Sequence, residues 1–129
     1  MNPILEKICK LLKSEDHDAQ VAAVKVLSEI KIKDKQLVRS VGEILQKSTD
    51  PTFKDIMLEL PIKLPAKEYL PYLVPCLSDV SINREKIVHA ISSIGPSSIA
   101  VLKKRYHKSS EFEKRTILTT KKIIEKNIP

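Results

Sequence analysis

Apolar residues recur at intervals of three and four along most of the chain, which is the spacing of one buried face of an α-helix. The pattern is clearest in two stretches that repeat each other after 64 residues, since Leu27 corresponds to Ile91 and Ile30 to Ile94. A third copy surrounds Leu45, about half-way between the two. Repeats of about 30–40 residues that contain two helices each are typical of α-solenoids.

The sequence therefore predicts an all-α fold of eight helices in four antiparallel pairs. The predicted helices cover about residues 3–13, 17–31, 34–47, 51–60, 66–78, 82–94, 96–108 and 110–126. The pairs form repeats at about 3–31, 34–60, 66–95 and 96–127 of one domain that spans 1–129. Residues 61–65 are expected to interrupt the helices, because a proline removes a backbone donor and clashes with the preceding turn. A kink is predicted near Pro75 within the fifth helix.

Residues that favour helix ends occur at the expected places. Asp16 or Asp18 is predicted to cap the second helix, and Ser110 could form a capping box with Glu113 at the start of the last one. Gly95 is suited to the position after the sixth helix. These residues support the predicted boundaries.

The composition limits the classes of protein to consider. With 42% hydrophobic and 30% charged residues, the 129-residue chain has the make-up of a folded, soluble domain. Only two glycines occur, too few for a phosphate loop or a dinucleotide fold. No signal peptide and no apolar run of about 20 residues is found, so we expect a cytoplasmic protein without a membrane span. Cys9 and Cys76 are expected to be reduced core residues, with a disulfide as the alternative.

The sequence lacks the spacing patterns of common metal-binding and catalytic motifs. The three histidines, His17, His89 and His107, and the two cysteines lack the spacing of metal ligands. No serine lies in a Gly-x-Ser-x-Gly context. We expect no metal, no cofactor, no small-molecule substrate and no enzymatic activity.

The formal net charge of +7 is concentrated near the end of the chain. Residues 96–129 hold nine lysines and arginines against three glutamates, whereas residues 1–64 hold eleven against ten acidic residues. Two adjacent helices would gather these cations on one surface. The candidate binding residues are Lys104, Arg105, Lys108, Arg115 and Lys122.

Three interpretations of this basic cluster remain open. It could be an ordinary solvated face, a docking surface for an acidic protein, or a site for nucleic acid or anionic lipid. Tyr106 is the one aromatic residue within the cluster, whereas proteins that bind single-stranded nucleic acid usually present several. Charge reversal of Arg105, Lys108 and Arg115 is expected to keep the helical content and to slow association with an acidic partner.

The third repeat resembles a HEAT repeat. The resemblance depends on the segment 69–95, in which Pro71, Asp79, Arg84 and Gly95 match the family's preferred positions. It implies a right-handed α-solenoid that acts as a scaffold or adaptor for other proteins. The enzymatic HEAT families use paired His-Glu dipeptides or tryptophan, and this chain contains neither.

The sequence thus predicts a non-catalytic module for protein–protein interaction, with nucleic-acid binding through the basic C-terminal helices as the alternative. The last helix is unusually apolar for a terminal repeat, which normally has a polar outer face. A chain that continues into further repeats would explain this composition. The residues concerned are Ile117, Leu118, Ile123, Ile124 and Ile128.

Overall fold

The computed structural model of this protein describes residues 2–32 and 34–128, and about 78% of these residues are helical. No β-strand occurs in these two ranges. The α-helices are α1 (Pro3–Leu12), α2 (His17–Ile30), α3 (Lys35–Lys47), α4 (Pro51–Met57), α5 (Glu59–Lys63), α6 (Leu70–Leu73), α7 (Arg84–Ile94), α8 (Ser97–Tyr106) and α9 (Glu111–Lys126). The predicted all-α fold class is confirmed.

The helix ends follow local sequence signals. Asp16, Asp34 and Asp50 precede α2, α3 and α4, and the side chain of each accepts one or two hydrogen bonds from backbone N–H groups of the first turn. Ser110 does the same for α9. Gly95 follows α7 with a φ of 90°, a backbone conformation that residues other than glycine rarely adopt.

The predicted end of the fourth helix before Pro61 is wrong. A turn at Leu58 divides that helix into α4 and α5, and α5 continues through Pro61 to Lys63. Pro61 is the third residue of α5, where a backbone N–H has no acceptor within the helix, so its missing donor costs no hydrogen bond. Helix α5 ends at Lys63, because the helical conformation is disfavoured for Leu64, the residue before Pro65.

The predicted fifth helix, over 66–78, is present only in part. A 3-10 turn at Lys67–Tyr69 leads into α6, and a second 3-10 segment covers Val74–Ser78. Pro71 and Pro75 are each the second residue of their segment. Two prolines four residues apart therefore divide the helix into short pieces instead of bending a continuous one.

The helices pack in chain order. Helix α2 contacts α1 and α5, α5 contacts α7, and α7 contacts α9, while α3 packs on α1 and α6. One cluster of buried apolar side chains extends from Leu5 in α1 to Ile124 in α9. A polar contact also joins α7 to α9: Arg84 Nε at the start of α7 donates to Thr116 Oγ1 of α9 at 3.0 Å. None of the described helices is long and apolar enough to cross a membrane.

A close approach between α3 and α6 depends on Gly42. A Cβ atom at this position would overlap the Tyr72 ring, which lies directly against the backbone of α3. Helix α3 therefore contacts α6 at a distance that only glycine permits.

Candidate functional site

Three of the five predicted binding residues lie together on one side of α8. Lys104 and Lys108 are exposed and Arg105 is half-buried. They border a shallow depression of about 320 Å³ that Val74, Val101 and Glu113 complete. Lys104 and Lys108 are one helical turn apart, and neither forms an ion pair among the described residues. We call this region the α8 basic depression.

Arg105 has a structural partner. Its Nε donates to Oε1 of Glu113, whose side chain is only 6% exposed, at 2.5 Å. The backbone of Arg105 is held as well, because Ser109 Oγ donates a hydrogen bond to the Arg105 carbonyl at 2.8 Å. The predicted capping box is only half formed: Ser110 Oγ accepts from the Glu113 N–H, but the Glu113 carboxylate turns to Arg105. Arg105 therefore neutralises a buried carboxylate and offers less charge to a partner than the sequence suggests.

Arg115 and Lys122 lie on a different surface. Both are exposed and seven residues apart on α9, so they share one face of the helix. The buried side chains of α9 define the opposite face: Glu113, Thr116, Ile117, Thr120 and Ile124. The structure thus separates the predicted cluster into the α8 basic depression and an outward cationic face of α9.

The apolar composition of the last helix has two origins. Ile117 and Ile124 belong to the core, whereas Leu118, Ile123 and Ile128 are exposed. The exposed residues do not form a continuous stripe, because Arg115 and Lys122 lie on the face most distant from the core.

The Cys76 thiol, which follows Val74 in the second 3-10 segment, is not activated as a nucleophile. Burial raises the pKa of the Cys76 thiol to about 11, against the opposing influence of Lys54. A thiol with that pKa is protonated at neutral pH and is a poor nucleophile. Cys9 is buried, and neither cysteine forms a disulfide.

The three histidines are placed apart, at the start of α2, within α7 and directly after α8. Within residues 2–32 and 34–128, no three His, Cys, Asp or Glu side chains lie close enough together to hold a metal ion.

A second depression, on the other side of α8, was not among the predicted site residues. It has about the same volume, 320 Å³, and lies where Tyr106 and His107 face Leu118 of α9. Helical periodicity places Ile117, Leu118 and Lys121 next to one another on one side of the last helix. This side could therefore have been identified from the sequence. The position of α8 beside it could not, because that position depends on tertiary packing.

No protein-family model matches this chain, and searches of curated proteins and of solved structures give no significant match.

Proposed function

We propose that this protein is a HEAT-like, right-handed α-solenoid of four helix pairs and acts as a non-catalytic scaffold that binds an acidic surface of another protein. The order of packing supports the solenoid, since α2, α5, α7 and α9 each contact the next. The contact between Arg84 and Thr116 spans 32 residues, which is half of the 64-residue interval in the sequence. Equivalent positions of neighbouring repeats are expected to meet in this way.

The observation that carries the binding proposal is the α8 basic depression. Lys104 and Lys108 project from one side of α8 next to Val74 and Val101, so cationic and apolar surface lie together. Protein interfaces commonly combine a charged rim with an apolar centre. The positive potential of residues 96–129 would also raise the rate of encounter with an acidic partner.

Nucleic acid fits this surface less well than protein does. Single-strand binding usually requires exposed ring faces for base stacking. Lys114 Nζ lies over the Tyr106 ring at 5.2 Å from its centroid, so one ring face is already covered. His107 meets the same ring edge-on, at 5.9 Å between centroids.

The test compares two double charge reversals that change the net charge equally. Lys104→Glu with Lys108→Glu alters the α8 basic depression, and Lys7→Glu with Lys10→Glu alters exposed positions of α1. The probe is a short fluorescent peptide rich in aspartate and glutamate, titrated by fluorescence anisotropy at low and moderate salt. We expect the α8 variant to bind roughly tenfold more weakly and the α1 variant to bind almost as the original protein does.

Equal weakening by both variants would show that only the net charge matters, and would contradict a site on α8. An oligothymidine probe is measured in parallel. Tighter binding of oligothymidine than of the peptide, with a steep loss of affinity as salt increases, would favour the nucleic-acid alternative.

A further inference from the structure

The depression between α8 and α9 also combines apolar and cationic side chains, and unlike the α8 basic depression it includes an aromatic ring. Its apolar and aromatic lining includes Tyr106, Ile117 and Leu118, of which Ile117 is buried and Leu118 is 43% exposed. Lys103 of α8 and Lys121 of α9 also line it. We call this region the α8–α9 groove.

The cations of the α8–α9 groove are available to a partner. Lys121 pairs with Glu125 of the same helix at 3.5 Å, and the Glu125 side chain is half exposed. Exposed pairs of this kind contribute little to stability, so a partner's carboxylate can replace them at small cost. Lys103 forms no ion pair among the described residues.

Helix α8 is the ridge between the two depressions. Lys103 lines the α8–α9 groove and Lys104 lines the α8 basic depression, although the two are adjacent in sequence. A peptide segment that crosses α8 at this point would contact lysines on both sides. A side chain of that segment would then reach Leu118 and Tyr106.

We infer that the α8–α9 groove receives one large apolar side chain of an acidic peptide segment, while the segment's carboxylates contact Lys103, Lys104 and Lys108. The inference rests on the proposed function and adds the chemistry of the partner: acidic residues around a single leucine-sized or aromatic anchor. Charge complementarity favours an acidic segment over a neutral one. The exposed Leu118 supplies the apolar contact that such an anchor would bury.

The experiment uses two fluorescent acidic peptides that differ at one central position, leucine in one and serine in the other. Each is titrated with the original protein, with Leu118→Ala and with the matched control Ile123→Ala. Ile123 is a similarly exposed aliphatic residue of α9, at 37%, and does not line the groove. Thermal melts confirm that all three proteins are folded.

We expect the leucine peptide to bind roughly five- to tenfold more tightly than the serine peptide, as partial burial of one leucine side chain implies. Leu118→Ala should abolish this preference and Ile123→Ala should retain it. Equal affinity for the two peptides, or a preference that survives Leu118→Ala, would overturn the inference. The proposed function would still stand if reversal of Lys104 and Lys108 weakens both peptides, and binding of neither peptide would overturn both proposals.

Discussion

The Glu113 carboxylate is almost fully buried at the start of α9, and the Arg105 guanidinium of α8 neutralises it. A buried carboxylate without a partner is costly, because water no longer solvates its charge. The pair therefore joins the end of α8 to the beginning of α9, and both residues line the α8 basic depression. Charge reversal at Arg105 would disturb this junction, so binding experiments on the basic surface should leave Arg105 unchanged.

We expect Arg105→Glu to lower the free energy of unfolding by roughly 2–3 kcal/mol, because it removes the partner of Glu113 and adds a like charge beside it. Lys104→Glu, the neighbouring exposed position, should change the same quantity by less than about 0.5 kcal/mol. Urea unfolding followed by circular dichroism measures both. The exchange Arg105→Glu with Glu113→Arg should recover part of the loss, and equal stability of the two single variants would contradict a structural role for the pair.

The residues of this pair show what the sequence reveals at this scale. Glu113 precedes Ile117, Thr120 and Ile124 at helical spacing, so its place on the buried face could have been predicted. Its partner could not, because Arg105 and Glu113 lie on different helices and meet only when the turn between them closes. The positions of Lys104 and Lys108 required only the periodicity of one helix.

At the scale of the elements, helix ends with a strong local signal agree with the sequence. Asp16 and Asp50 cap the starts of α2 and α4, and Gly95 follows α7, because capping depends on the residue itself and its nearest neighbours. The predicted helix end before Pro61 and the predicted kink of one continuous helix near Pro75 both differ from the structure. The turn at Leu58 places Pro61 in the first turn of α5, where proline is tolerated. Pro75 is tolerated because it is the second residue of a short segment.

Helix α3 provides the prediction for this scale. Gly42→Ala should lower the free energy of unfolding by roughly 1–3 kcal/mol, because the added methyl group overlaps the Tyr72 ring of α6. Intrinsic helix propensity alone predicts the opposite, a gain of about 1 kcal/mol. The sign of the change in a urea titration therefore separates the two effects.

A second variant identifies the cause of that change. Combined with Tyr72→Leu, which removes the ring, Gly42→Ala should cost much less than it does alone. A stabilising effect of Gly42→Ala in the original protein would show that α3 and α6 do not approach each other as described.

At the scale of the whole molecule, charge is distributed unevenly along a series of helices that pack in chain order. The sequence alone predicted this asymmetry, since residues 96–129 hold nine of the lysines and arginines against three glutamates. The structure adds that these cations lie on two sides of α8 and on the outward face of α9. That division depends on how α8 and α9 pack, and the sequence did not predict it.

The measurement that tests the binding surface most directly is a titration of the ¹⁵N-labelled protein with the acidic leucine peptide, monitored by amide chemical shifts. We predict that the largest shifts occur in α8 and the first half of α9, around Lys104, Lys108 and Leu118, and that α1 to α3 change little. The shifts should decrease as salt is added, because charge contributes to the encounter. Principal shifts in α1 to α3, or none at concentrations at which the peptide binds, would contradict the proposed surface.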